Sequence, residues 1–299
     1  MTTNTTTAED LFPTRLATPG DFIERTQPAV WGSVDDGPFT ASELDAHERR
    51  GFTILDDFIT ADDVALYSGE LDRLAADPAL KDDSRMITER TTGTVRSVFE
   101  VEKLSSALDA LARHPEVVGR ARQIVGSDVY LHQTRINYMP SFTGTGFYWH
   151  SDFETWHAED GMPVPRSVSL SIALTDNYPF NGGLMVMPGS HRTFVPAVGE
   201  TPDNNHEQSL QAQEAGVPSH AAITALSDKY GIEQFTGAAG SALWFDSNIM
   251  HGSGNNITPY ARSNVFMVFN SVDNALVEPY AAKSPRPEHI ANRDFTPLR

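Results

Sequence analysis

The chain contains no cysteine among its 299 residues. Structural disulfides, a cysteine nucleophile and a thiolate metal site are thereby excluded. Any metal must be held by histidine nitrogen or carboxylate oxygen, a donor set that suits iron, manganese, zinc or copper. Positive charge is scarce as well: 22 basic residues against 40 acidic ones leave a formal charge of -18. Such a field repels nucleic acid and anionic membranes, so neither is expected as a partner, and it fits a salt-stressed host. No uninterrupted apolar run reaches the roughly 18 residues that a membrane helix needs. The stretch MTTNTTTAED has neither a basic n-region nor an apolar h-region, which leads to the expectation of a soluble, cytoplasmic protein. No repeat stands out, and the Thr-rich tip is the one biased tract.

What is present falls into three stretches. Residues 1–40 are polar with scattered Pro and Gly and are expected to be largely irregular. Residues 41–127 are expected to form a helical flank. Within it GFTILDDFI reads as a strand. Thr60 followed by Ala-Asp-Asp reads as a helix start, and Val64, Leu66, Leu71 and Leu74 as its buried stripe. From Asp128 onward come short apolar segments with turn punctuation: VYLHQTRINYMP, GFYWHSDF, RSVSLSIALTD, GGLMVMPGS, GSALWFDS and RSNVFMVFNSV. Their number and spacing predict a sandwich or barrel over 128–275. A polar insert at 204–229 is expected to be helix and loop. No domain boundary is visible, so 1–299 is read as a single domain, mainly β with flanking helices outside one core. In SVSLSIALTD, Val168, Leu170, Ile172 and Leu174 share one face, while Ser167, Ser169, Ser171 and Ala173 share the other. The small face either meets solvent or walls a cavity.

The densest chemistry lies in FYWHSDFETWHAEDGMP, residues 147–163. Aromatics and carboxylates share a segment only where something compensates the charge. His150 and Asp152 form an H-x-D pair, whose side chains point the same way in a strand. His251 follows a distant apolar strand and opens a Gly/Asn-rich turn, and Arg262 begins the next strand. Two histidines and one carboxylate on one face of a metal are the donor set of non-haem Fe(II) oxygenases. The open positions would accept the keto acid of 2-oxoglutarate and dioxygen. The far carboxylate of that co-substrate needs a cationic fork, for which Arg262, with the Ser253 hydroxyl, is the candidate. Taken alone, Arg262 reads more readily as a surface strand-end arginine than as a ligand-binding one.

The order H-x-D, distant His, then Arg, together with NGGLMVMPGSHR, resembles the phytanoyl-CoA dioxygenase superfamily of Fe(II)/2-oxoglutarate enzymes. More narrowly, FYWHSDFETWHAEDGMP, HQTRINY, PGSHRTFVPAVGETP and NITPYARSNVF resemble the ectoine hydroxylase family. The resemblance implies a double-stranded β-helix (jelly-roll) core and conversion of ectoine to 5-hydroxyectoine, with 2-oxoglutarate going to succinate and CO2. It implies His150, Asp152 and His251 as iron ligands. It implies Arg262, Ser253, Asn137 and Phe147 around 2-oxoglutarate, and Gln133, Trp156 and Phe269 around ectoine. It also leans towards a homodimer.

The residues fit these roles chemically. Ectoine carries a delocalised cationic amidine, on which Trp156 could stack with Phe269 as a wall. Gln133 both donates and accepts. For a lone aromatic such as Trp156 or Phe269, plain core packing is the competing reading. Phe147, Tyr148, Trp149 and Trp156 are expected to form a dry wall. Glu154 is expected to orient a ligand, and Glu159 and Asp160 to be solvated or turn residues. His157 is expected not to be a ligand, and His191 to be structural.

Two positions depart from the family pattern: Met139 stands where Lys is usual, and Ser167, close to the substrate, where Ala is usual. They motivate a second reading, a sibling hydroxylase of another small cyclic amino acid such as proline or pipecolate. A third reading is a non-catalytic jelly-roll binding protein, against which the intact triad argues.

Overall fold

The computed structural model describes residues 10–89 and 92–299. Thirteen strands are formed among them: β1 Ile23–Glu24, β2 Phe52–Leu55, β3 Met86–Thr88, β4 Val95–Phe99, β5 Val129–Met139, β6 Phe147–His150, β7 Ser167–Ala173, β8 Leu184–Val186, β9 Thr193–Phe194, β10 Glu233–Gln234, β11 Ala242–Asp246, β12 His251–Ser253 and β13 Arg262–Ser271. A seven-stranded sheet runs β2-β11-β7-β13-β5-β4-β3, and a four-stranded sheet runs β10-β8-β12-β6. Every pairing in both is antiparallel. The two sheets face each other as a jelly roll, with helices against the outer face of the larger one.

Period-two alternation sorts the larger sheet's side chains into two cores. On β13, Val265, Met267 and Phe269 join the helix-side core, while Phe266 and Val268 point between the sheets. On β11, Ala242 and Trp244 take the first side, Leu243 and Phe245 the second. On β7, Val168, Leu170 and Ile172 lie in the helix-side core, and Ser169 and Ser171 on the opposite face are buried too. The serine face therefore meets the interior between the sheets, not solvent.

The helical layer follows local rules. Helices Ala41–Arg50 and Ala61–Ala75 open on capping boxes, Thr40 with Glu43 and Thr60 with Asp63. Gly51 ends the first in a left-handed conformation (φ 80°), and a Cβ there would strike the His191 ring. The second helix buries Tyr67, Leu71 and Leu74, whereas Leu66, expected in its stripe, is half exposed. Helix Pro115–Val125 lays Val117, Val118, Ala121 and Ile124 on the sheet.

The flank 41–127 is less purely helical than the sequence suggests, since β2, β3 and β4 all belong to the large sheet. β3 and β4 are short and carry polar residues, so they give little periodic signal. Residues 10–40 are mostly irregular, yet Phe12, Arg15 and Arg25 within them are buried. The first nine residues lie outside the described ones. Among the described residues no helix is long and apolar enough to cross a membrane.

Two buried histidines link the helical layer to the jelly roll. His47 bonds Thr53 Oγ1 through Nδ1 at 3.3 Å, and His191 donates from Nε2 to the Glu48 carbonyl at 3.1 Å. Burial pushes both imidazoles down to about 3; Asp246 opposes this for His47, while Arg25 adds to it for both. Both rings are thus neutral in the fold, whereas in the unfolded chain they protonate near pH ~6.5. Their contribution to stability is fully present above that value and is lost as pH falls towards 3. The urea midpoint should therefore drop steadily from pH 7 towards pH 4. In His47→Gln the slope over that window should be shallower by one proton's worth.

Candidate active site

β6 and β12 pair antiparallel with His150 directly opposite His251. Their ring centroids lie 4.2 Å apart. β6 ends at His150 and Asp152 already opens a helical turn, Asp152–Thr155. Ser151 between them keeps extended backbone (φ -108°, ψ 127°), so the alternation expected of a strand still turns Asp152 to the side of His150. The turn delivering His251 is braced by the PGSHR segment: Met250 N–H donates to Ser190 Oγ at 2.9 Å, and Asn248 Nδ2 to the His191 carbonyl at 2.8 Å. Ser151 donates to Asn248 Oδ1 at 3.0 Å, which ties the two ligand-bearing segments together.

The three side chains are buried, with candidate ligand atoms all within 4.8 Å of one another. His150 Nε2 lies 3.5 Å from Asp152 Oδ1, and His251 Nε2 lies 3.8 Å from Asp152 Oδ2. Each imidazole donates from Nδ1 to a backbone carbonyl, His150 to Tyr148 at 2.8 Å and His251 to Ile249 at 3.0 Å. That leaves both Nε2 lone pairs aimed inward, the tautomer a metal ligand needs. Burial pushes His251 down to about 4, with His150 adding to the effect. Burial alone would raise Asp152, but His251, His150 and Arg135 outweigh it and hold the carboxyl at about 2. Asp152 Oδ2 has no hydrogen-bond partner. An anionic, half-unsatisfied carboxylate between two imidazoles fits a divalent metal ion. The donor set, with its other face open to a pocket, fits Fe(II).

Asn137, Phe147, Ser253 and Arg262 line one end of this pocket. The Phe147 ring stands edge-on to His150 at 4.9 Å, and its N–H donates to Ser253 Oγ at 3.0 Å. Asn137 Oδ1 accepts from Ser97 Oγ at 2.8 Å. Among the described residues Arg262 has no ion pair, and its Nε is buried without a partner. Burial, and then the charge of Arg96, pushes its guanidinium down to about 10.

At the other end the structure keeps some expected residues and replaces others. Trp156 lines the pocket and meets His132 edge-on at 5.0 Å. Gln133 also lines it, but both ends of its amide are engaged: Nε2 donates to the Ile290 carbonyl at 2.7 Å, and Oε1 accepts from Arg135 at 2.6 Å. Phe269 is not in the pocket. It lies in the helix-side core, stacked on Trp244 at 6.1 Å, because its parity on β13 is opposite to that of Arg262. Phe266, with Phe245, lines the pocket instead. Ser167 sits at the start of β7, bonded to Met162 Sδ at 3.3 Å, and the serine that reaches the pocket is Ser171. One motive for an altered substrate thus falls away.

Four further expectations are corrected or refined. Tyr148 is exposed, and Trp149 packs on a side cluster with Met187, Leu226 and Met250, so the dry wall is Phe147 and Trp156. Glu159 and Asp160 are buried within the π-helical turn Trp156–Asp160, not solvated. Glu159 pairs with Arg15 at 3.0 Å, and Asp160 with Arg286 at 2.6 Å. Glu154 bonds Arg15 and Thr14, at 2.7 Å each, rather than a metal ligand. His157 bonds Asp10 and the Met162 carbonyl and stacks on Tyr280, so it is no ligand.

The sequence reading missed Arg135, Asn264, Phe266 and Arg286, all of which line the pocket. Three were detectable by parity: Asn264 and Phe266 follow Arg262 at steps of two, and Arg135 lies between Gln133 and Asn137. Arg286 follows the last strand and carries no such signal.

The sequence profile described as phytanoyl-CoA dioxygenase (PhyH) matches residues 47–264. The chain belongs to the phytanoyl-CoA dioxygenase family. Its relatives there include the ectoine dioxygenase of Nocardia farcinica, 63% identical over 289 residues that span 97% of this chain and 95% of the relative. The ectoine dioxygenase of Halomonas elongata is 50% identical over 286 residues, 95% of this chain and 86% of that one. Among solved structures, EctD from S. alaskensis with bound Fe superposes with a TM-score of 0.87 at 39% identity, covering 97% of this chain and 98% of that one. The same protein with 2-oxoglutarate and 5-hydroxyectoine gives 0.85 at 40% identity, covering 95% of each chain. The expected jelly-roll fold and family are thus borne out.

Three outcomes follow from this geometry. Asp152→Ala should lose stoichiometric iron binding, read by elemental analysis after anaerobic reconstitution, while the metal-free melting temperature does not fall. Phe269→Ala should cost about 3–5 kcal/mol of stability as a large core truncation. Phe266→Leu, by contrast, should raise the substrate KM with little loss of stability.

Proposed function

We infer that this chain is an Fe(II)- and 2-oxoglutarate-dependent dioxygenase that hydroxylates ectoine. One dioxygen is consumed: one oxygen atom enters 5-hydroxyectoine, the other enters succinate, and CO2 leaves. The observation that carries the reading is a buried His150–Asp152–His251 triad in a chain up to 63% identical to ectoine dioxygenases.

In this reading His150, Asp152 and His251 hold the iron, which supplies dioxygen activation coupled to decarboxylation of the keto acid. Arg262 and the Ser253 hydroxyl receive the distal carboxylate of 2-oxoglutarate, with Asn137 and Phe147 beside it. An unpaired, buried Arg262 supports this, because an anion relieves its desolvation. Trp156 offers a ring face to the amidinium of ectoine, and Phe245 and Phe266 exclude water around it. Arg286, fixed by Asp160, presents a cation for the ectoine carboxylate. Gln133, held at both ends, keeps Arg135 in place more than it contacts ligand. A cytoplasmic location and a homodimer belong to the same proposal, and sedimentation velocity measures the assembly.

The decisive assay mixes purified protein with Fe(II), ascorbate, 2-oxoglutarate and ectoine in air. A product one oxygen heavier at ring carbon 5, with equimolar succinate, is expected. Succinate formed beside proline or pipecolate, with ectoine left intact, would overturn the substrate assignment. Absence of succinate under every condition would overturn the enzyme reading itself.

A further inference from the structure

Arg96 stands at an irregular point of the large sheet. β3 and β4 pair as Met86↔Val98, Ile87↔Ser97 and Thr88↔Val95, so Arg96 is the extra, unpaired residue of a β-bulge. Bulges re-aim side chains and gather beside active sites. In a regular strand Arg96 would share the face of Val98 and enter the helix-side core. Here Val95 and Val98 both pack on that core, while Arg96 and Ser97 both line the active-site pocket. The bulge thus brings a cation into a site that the unbroken strand would have denied it.

Arg96 is held firmly once there. Its Nη1 donates to Glu89 Oε1 at 2.7 Å, to Thr145 Oγ1 at 2.6 Å and to the Thr145 carbonyl at 3.1 Å. Thr145 in turn donates to Glu89 Oε2 at 2.7 Å. Among the described residues all its hydrogen bonds leave from this one nitrogen, and Nη2 and Nε remain for a ligand. The guanidinium lies 5.6 Å from the centroid of the Phe147 ring. Its charge is felt at Arg262, which shares that end of the pocket. Met139, opposite Arg262 across β5 and β13, adds bulk there but no charge. Two guanidinium groups against one glutamate leave one uncompensated positive charge, the complement of a single carboxylate.

We propose that Arg96 is a second cationic anchor, which together with Arg262 binds the distal carboxylate of 2-oxoglutarate. The proposal rests on the co-substrate assigned above. Arg96 touches the end of 2-oxoglutarate remote from the reacting carbon, so it sets co-substrate affinity and selectivity, not the chemical step.

The test compares 2-oxoglutarate with 2-oxopentanoate, which has the same keto-acid head but a methyl group in place of the distal carboxylate. Affinities are measured calorimetrically on anaerobic Fe(II)-loaded wild type, Arg96→Met and Arg96→Lys. Arg96→Met should weaken 2-oxoglutarate by about tenfold or more and leave 2-oxopentanoate unchanged. Arg96→Lys, which keeps the charge but loses the fork, should fall between and serves as the readout if the Met variant does not fold. In turnover, KM for 2-oxoglutarate should rise while kcat and KM for ectoine hold. Equal weakening of both keto acids would make Arg96 a structural brace of the Glu89–Thr145 contact, and no weakening of either would remove its role; either overturns the proposal. Failure of wild type to prefer 2-oxoglutarate over 2-oxopentanoate would instead sink the co-substrate assignment.

Discussion

The site depends on one backbone pairing, β6 against β12, in the register that sets His251 opposite His150. A slip of one residue would turn one imidazole to the far face of its strand and dissolve the triad. The register shifts between His251 and Ser253, and Ser253 then pairs with Phe147. The same short ladder therefore places two of the triad's histidines and two residues of the proposed co-substrate end. Asn248 and Ser190 hold the incoming turn, so the geometry of the pair is enforced from behind as well as across the ladder.

Charge is distributed against the grain of the whole molecule. A chain of formal charge -18 concentrates arginines in its pocket: Arg96, Arg135, Arg262 and Arg286 all line it. Arg135 lies over the Phe266 ring at 4.1 Å and, among the described residues, has no carboxylate partner, while Arg286 is anchored to Asp160 through Nε and Nη2. In the proposed reading, this cationic lining inside an acidic chain would suit a dicarboxylate and a zwitterion. Buried cations of this kind are tolerable only where bound anions or fixed aspartates compensate them.

The sequence made the ligands legible because their chemistry is short-range: H-x-D needs only alternation, and a histidine after an apolar strand marks a turn. It made the outer ends of the pocket less legible. Phe269 is an aromatic on the correct strand with the wrong parity, and counting by twos from Arg262 reaches Phe266 instead. Glu159 and Asp160 looked solvated because their partners lie 144 and 126 residues away, at Arg15 and Arg286. A sequence displays a charge without displaying what neutralises it. β3 and β4 escaped notice for a related reason, since short strands near a sheet's edge borrow stability from their neighbours and not from their own pattern.

The ion pairs behind Trp156 have a consequence for what a chain shortened at its C-terminal end would retain. Arg15, near the start of the chain, grips the turn that carries Trp156, and Arg286, near its end, grips the same turn. Gln133 is bonded to the Ile290 carbonyl, and Leu298 N–H to the Val129 carbonyl. Every strand of both sheets and the His150–Asp152–His251 triad lie before residue 272, whereas Arg286 and Ile290 lie after it. A chain shortened ahead of Arg286 would lose the guanidinium on Asp160 and the carbonyl on Gln133. Such a chain would keep the donors for a metal and lose groups from the end of the pocket that carries Trp156.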